Sequence, residues 1–463
     1  MEKSVLWQGF QSLSNLERKH LGQWLESPFF CRREQPVRLY VYLQTCLLQS
    51  RAPVLAEALQ ETGAADVKTI RLVMSELLQQ IEHFLVYQEK FSASYDFQTQ
   101  LAAAYRRRGL EKHFHRALQR ARQELESQPF RHSEYYQARA EVEYELYQQT
   151  SSAQRTEALN LQELVNAADT AFMTAKLRQA CFALTHQAVY NADYDMGLLP
   201  AVLSYLEQRP ALLGLPAVAL YYHCFLFLTE PDAEVHFTRF KALLFTHADT
   251  LPPDELRNLH LLAINYCVRK INQLNDAYFR EAFDLYRSAL QADLLLENGV
   301  LSPFAYNNIV AIALRVQEAA WAEAFVQRYS VYLEKKVREA NYRLNLARIA
   351  YHHKAYGQAL LHLQESDYKD LINNLIAKTL QLKIYFETGE FDALDAHLQS
   401  MKSFLRRHRV IGYHRDNYRN IIKFTRRLMQ HPFKGRSELE SLRKLIRETS
   451  PLTEKEWLLE MAS

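Results

Sequence analysis

The sequence predicts an all-α chain built from antiparallel helix pairs, and three observations carry that prediction. Glycine is scarce, at 11 of 463 residues, where average usage is about 7%. Phosphate-cradling loops, tight hairpins and strand bulges lean on glycine, so its scarcity argues against a nucleotide-binding α/β enzyme and against an all-β fold. Leu, Ala, Gln, Glu and Arg, all good helix formers, are abundant. Apolar residues recur at helical spacing in segments punctuated by proline and glycine.

Region 1–93 reads as a helical N-terminal cap. Ser14 and Glu17 have capping-box spacing, with Leu16, Leu21, Trp24 and Leu25 on one helical face. Ser27-Pro28 stops that helix, and Pro36 sits in the first turn of the next. A short helix over 54–60, a turn at Thr62-Gly63 and a long amphipathic helix over 66–87 follow, the last carrying Ile70, Met74, Leu77, Leu78, Ile81 and Leu85. The short and long helices also suit a helix-turn-helix, in which the second would enter the major groove. Only Lys68 and Arg71 are cationic near its start, so a structural cap is the expectation.

Region 94–410 reads as eight helix pairs: 95–108 with 111–127, 133–149 with 155–170, 172–188 with 197–207, 214–228 with 232–247, 254–270 with 276–290, 303–316 with 321–335, 339–351 with 356–364, and 371–385 with 391–405. Breakers between them are Gly109, Pro129, Pro210, Gly214, Pro216, Pro231, Pro252-Pro253, Gly299, Pro303 and Gly389. Trp321, Tyr356 and Phe391 stand 35 residues apart, followed three residues on by Ala324, Ala359 and Leu394; Phe279 with Ala282 repeats the pattern. A small residue one turn after a ring lets two helices approach while the ring fills the gap.

These residues resemble the tetratricopeptide repeat. The run 346–351 (Leu-Ala-Arg-Ile-Ala-Tyr) followed by Tyr356, Gly357 and Ala359 carries the resemblance best. Tyr385, Gly389 and Phe391 match well and Tyr105 with Gly109 less so, while no repeat holds the full consensus. The resemblance implies a right-handed superhelical solenoid with a concave groove, whose ligand-facing positions lie on the first helix of each pair. Carried over, those positions are Asn341, Asn345, Arg348 and His352, then Lys383 and Glu387. A carboxylate clamp of alternating Lys, Asn and Arg is incomplete, because Leu344, Ile376 and Leu380 stand at polar positions of that pattern. More loosely, Ser27-Pro28-Phe29-Phe30 and the stretch from Arg71 to Tyr87 resemble uncharacterised helical-repeat proteins of Bacteroidetes.

Region 411–463 reads as a basic helical C-terminal cap. The formal net charge of +3 conceals 14 Lys/Arg against three acids over 402–447, a local +11 that leaves −8 elsewhere. Arg415, Arg419, Lys423 and Arg427 recur every four residues and form one stripe on a helix over 414–430. Tyr418, Ile421, Ile422, Leu428 and Met429 occupy other faces and suit docking. A break over 432–435 and capping-box spacings at Ser437/Glu440 and Thr453/Glu456 predict two short closing helices. A second cationic run, Arg106 to Arg108 through Arg116, Arg120 and Arg122, is diluted by acids and reads as solvated surface.

Chemistry-bearing motifs are absent from the sequence: it contains no Gly-x-Gly-x-x-Gly, P-loop, Gly-x-Ser-x-Gly or His-Glu-x-x-His. His113 with His115, and His352 with His353, diverge on a helix and do not suit joint metal ligation. The five dispersed cysteines read as reduced thiols of a cytosolic protein. Neither a signal peptide nor a spanning segment is expected, the most apolar window (217–228) being too short. The functional expectation is therefore a cytoplasmic, non-enzymatic scaffold or adaptor, without cofactor or metal, that takes a protein or peptide partner in the groove. The rival is a nucleic-acid-associated regulator contacting phosphates through the basic stripe.

Overall fold

The computed structural model describes residues 1–91, 94–153, 158–190, 192–230, 234–273, 275–365, 370–407, 412–430 and 436–462. Among these the chain forms 23 α-helices, three short 3-10 turns and one two-stranded hairpin. It divides into two compact units, Met1–Lys176 and Leu177–Ser463.

In the first unit, α1 (Val5–Ser12) is capped by the Ser4 hydroxyl, which accepts from the Trp7 N–H at 3.2 Å. The box expected before α2 (Asn15–Glu26) forms: Ser14 Oγ accepts from Glu17 N at 3.2 Å while Glu17 accepts from Ser14 N at 2.6 Å. The Ser14 hydroxyl and backbone N–H beside the Glu17 carboxylate favour the ionised acid and hold its pKa below the ordinary value. Pro36 lies in the first turn of α3 (Glu34–Leu48). The next helix, α4 (Leu55–Thr62), ends on Gly63 at φ +64°, a left-handed conformation that costs glycine nothing. The long α5 (Val67–Lys90) buries Ile70, Val73, Leu77, Ile81 and Phe84 among Phe10, Leu21, Leu39 and Leu43. A second apolar cluster joins α6 (Ser94–Arg106), α7 (Glu111–Ser127) and α8 (Ser133–Ala153) around Phe114, Leu118, Tyr135 and Val142. Two arginines of the second cationic run pair across helices, Arg122 with Glu143 at 2.7 Å and Arg106 with Glu145 at 2.9 Å.

One expectation fails at α9 (Leu161–Tyr190), which is a single helix of 30 residues where the sequence suggested two. Residues 170–174 contain neither proline nor glycine. The Thr170 and Thr174 hydroxyls each donate to the carbonyl one turn back at 2.8 Å, so nothing there ends the helix. The boundary between the two units falls within its sequence.

The second unit continues with α10 (Leu199–Gln208), α11 (Pro216–Thr229), α12 (Glu234–Thr246), α13 (Pro253–Asn272) and α14 (Ala277–Gln291). A hairpin that the sequence reading missed follows, Leu296–Glu297 against Val300–Leu301. Its two-residue turn is Asn298-Gly299 at φ +51° and +77°, the pair that a type I′ turn prefers. Then come α15 (Pro303–Arg315), α16 (Ala319–Tyr329), α17 (Lys335–His352), α18 (Tyr356–Gln364), α19 (Leu371–Glu387) and α20 (Phe391–Arg407). Sequential helices pack as pairs, α11 on α12, α13 on α14, α15 on α16, α17 on α18 and α19 on α20. The first helices also touch, α15 against α17 and α17 against α19.

The 35-residue aromatic–small register holds for α18 and α20, where Ala359 and Leu394 are fully buried. It slips in α16: Ala324 is exposed, and the interior positions are Ala322, Phe325 and Val326. The chain closes with α21 (Gly412–Met429), α22 (Arg436–Glu448) and α23 (Lys455–Met461). Their apolar faces form one cluster with α19 and α20 around Leu382, Leu398, Met401, Phe424, Ile446, Trp457 and Leu458. The expected breaks at Pro231 and over 432–435, and the Ser437 side chain of the proposed box, lie outside the described residues.

Candidate functional site

The candidate site occupies the faces of α15, α17 and α19, the first helices of three successive pairs. Its floor is a cluster of buried asparagines. Asn307 Nδ2 donates to Asn341 Oδ1 at 2.8 Å and to Asn373 Oδ1 at 3.1 Å, while Asn345 Nδ2 donates to Asn307 Oδ1 at 2.6 Å. Asn373 closes the set by donating to Asn341 Oδ1 at 3.0 Å. Asn341 and Asn345 are thus interior, at 1% and 0% exposure, with amides spent on Asn307, on Asn373 and on backbone carbonyls of their own helix. The sequence placed both on the ligand-facing surface; the structure places them beneath it. An amide on a helix that packs against helices on both sides is enclosed, and it must then find polar partners.

Arg348 stands on this floor. Its Nη1 donates to the Asn307 carbonyl at 2.9 Å and to Asn345 Oδ1 at 3.2 Å. One helix on, Lys383 Nζ reaches Glu454 at 2.8 Å and lies 4.8 Å from the Tyr351 ring centroid. Glu387 accepts three bonds, from the Tyr351 hydroxyl, from the Tyr356 hydroxyl at 2.7 Å and from the Trp457 indole N–H at 2.7 Å. That acceptor raises the Tyr356 hydroxyl pKa to about 12, burial adding to the effect. His352 is half-buried beside His353, with ring centroids 5.6 Å apart, and is not joined to this set.

Glu454 and Trp457 are the residues that sequence reasoning missed. They belong to the segment 450–462, which ends in α23, and that segment contacts two of the positions assigned to a partner, Lys383 and Glu387. Glu454 adopts φ +53° just before α23, and its side chain goes to Lys383 instead of capping the helix. The box expected from Thr453 and Glu456 does not form, because Glu456 pairs with Arg315 at the end of α15. Partial desolvation opposes ionisation of Glu454, but the charge and hydrogen bond of Lys383, aided by Arg348 and Arg315, outweigh it and hold the acid below its ordinary pKa. The Trp457 ring packs edge-on against Phe386 at 5.5 Å and is 5% exposed. Arg315, Arg348 and Lys383 stand 33 and 35 residues apart in sequence, close to one repeat each time. They form a row of cations facing the acids of one segment. The signal available beforehand was this spacing, together with the acidic run Glu454-Lys455-Glu456 beyond a basic tail.

The basic stripe lies elsewhere on the unit's surface. Arg419, Lys423 and Arg427 are exposed on α21, while Tyr418, Ile421, Ile422, Phe424 and Leu428 on its other faces are buried. Arg419 has an intrahelical partner, Asp416, at 3.6 Å. Arg415 is half-buried, so it is the least available of the four. Among the described residues no three His, Cys, Asp or Glu side chains gather as metal ligands, and no helix is long and apolar enough to cross a membrane. In comparisons with known proteins the chain matches no family model, no curated protein and no solved structure.

Proposed function

We propose that this chain is a non-enzymatic, cytoplasmic protein-interaction scaffold, a right-handed solenoid of tetratricopeptide-like pairs that binds a helix or peptide on its first-helix face. The supporting observation is that this face already holds a segment ending in a helix: Glu454 and α23 rest on Lys383, Arg315 and Glu387 through ion pairs and an indole hydrogen bond. A surface that orders one amphipathic segment through charge and an aromatic anchor has what helix recognition needs. The test is affinity capture of the tagged full chain from its own cells with nuclease present, repeated with Lys383→Glu. A stoichiometric protein partner lost with the variant supports the scaffold. Partners that vanish with nuclease alone overturn it.

A second reading rests on the three exposed cations Arg419, Lys423 and Arg427 on one face of α21. They would contact phosphates of a nucleic acid. Three phosphate contacts imply that log Kobs falls with log salt at a slope of about −2.7 on duplex DNA. Charge reversal at all three positions should abolish binding, and salt-insensitive retention would eliminate this reading.

A further inference from the structure

The described residues offer several unassigned features. An exposed aromatic patch surrounds Phe29 and Phe30, and the buried His223 meets the half-buried His236 at 3.1 Å. An open cleft lies between α9 and α13 beside Phe182, Tyr190 and Leu261. None of these shows what would fill it or act on it. The segment 450–462 does, because the structure displays both a site and an occupant.

We infer that segment 450–462 is a resident intramolecular ligand of the α15/α17/α19 face, and that the partner displacing it is a helix carrying a carboxylate three residues ahead of an indole. The inference rests on the helix-binding reading above and specifies its ligand. Three arguments distinguish a ligand from a simple terminal cap. A cap need cover only the last helix pair, whereas this segment reaches back through Glu456 to Arg315 on α15, two pairs earlier. Its polar contacts on this face are complementary in sign, cations on the scaffold against acids on the segment, while Leu458 and Ala462 pack in the apolar cluster shared with α21 and α22. Its anchor is a tryptophan whose N–H is read by a placed carboxylate, Glu387, and buried aromatic anchors of this type dominate helix and peptide recognition. Glu454 and Trp457 thus define a Glu-x-x-Trp pattern that a partner would reproduce.

Tethering sets the scale of the competition. A short tether presents its ligand at an effective concentration of about 1 mM. If the segment alone binds at about 10 μM, the resident copy raises the apparent Kd of a competitor about 100-fold.

The experiment uses a fluorescein-labelled peptide of residues 449–462 as the probe, titrated in trans against two full chains. One is wild type and the other carries Glu454→Lys with Trp457→Ala. The expected result is peptide binding to the variant about 100-fold tighter than to wild type. Binding should be lost when the variant also carries Lys383→Glu, or when the peptide carries Trp457→Ala. Equal binding to both chains overturns the inference, as does no binding to a variant that keeps wild-type helicity and sediments as a monomer. If the Trp457→Ala chain loses its fold, Glu454→Lys with Glu456→Lys gives the same comparison by changing carboxylates that are 37% and 33% exposed. A variant that dimerises by exchanging segments names a second copy as the occupant and overturns the partner. Peptide binding without a captured cellular partner removes the scaffold role and leaves the site. A partner captured equally by wild type and variant leaves the scaffold and removes the displacement.

Discussion

Glu387 is the residue through which α23 is most open to attack by a single substitution. It accepts the Trp457 indole N–H at 2.7 Å, the Tyr356 hydroxyl at 2.7 Å and the Tyr351 hydroxyl. Glu387→Ala removes all three acceptor contacts. The two tyrosines are half-buried and can turn to water, so each lost bond costs about 0.5 kcal/mol. Trp457 is 5% exposed and its N–H can only donate, so a stranded indole costs about 1–3 kcal/mol. The tyrosine bonds lie outside α23 and are lost whether or not it is docked, so only the indole's roughly 1–3 kcal/mol counts against the docked state of α23. Hydrogen exchange reads this directly, because local opening needs no global unfolding. At 1.4 kcal/mol per tenfold, the α23 amides should exchange roughly 5- to 150-fold faster, with α11 amides as the internal control. Glu387→Gln keeps one acceptor oxygen and should cost about 1 kcal/mol. Less than a threefold change in α23 exchange for the alanine variant would refute the claim that this carboxylate holds the segment.

Three further outcomes follow from the same geometry. Asn345→Ala deprives Asn307 Oδ1 and Arg348 of their partner inside a buried network and should destabilise the second unit by about 2–4 kcal/mol; a urea-unfolding free energy unchanged within about 0.5 kcal/mol would show the network to be dispensable. Glu454 faces Lys383, Arg348 and Arg315, with the Tyr418 hydroxyl nearby, and its pKa is depressed in the native state. Its contribution is therefore present above the unfolded value of 4.5 and lost as pH falls through the lower native one, so α23 exchange should accelerate below pH 4.5 in wild type and not in Glu454→Gln. His223 is held down to about 4 by burial first, then by His236 and Arg239, against an ordinary 6.5. The unfolded chain takes up that proton at higher pH than the native one, so the second unit should lose stability as pH falls from 6.5 towards 4. His223→Gln should flatten the thermal-melt profile over that window, and an unflattened profile would place the proton elsewhere.

Helix positions were largely legible because local rules govern them. Ser14 with Glu17 marks a helix start and formed as read, and the turn expected at Thr62-Gly63 follows the short helix, with Gly63 left-handed. Reading failed where those rules were silent or shared. At residues 170–174 an assumed repeat boundary had no breaker behind it, and α9 runs through. At Thr453 and Glu456 the capping spacing was present, but both acids of that turn found cations on other helices. A charge-assisted bond across the fold is worth more than a neutral cap.

For the candidate site the division is sharper. Sequence alone determined which helices would present polar residues, because the repeat brings Arg348 and Lys383 to equivalent positions 35 residues apart. It also determined that α21 would carry cations on one face and apolar residues on the others. Only the tertiary structure decided that Asn341 and Asn345 are interior, because burial depends on what packs across from a helix and not on its own periodicity. Only the tertiary structure brought Glu454 and Trp457 to Lys383 and Glu387, pairs separated by about 70 residues of chain. Contacts over that span come from the docking of whole elements, in which apolar area and opposite charge select a partner face that no local pattern records.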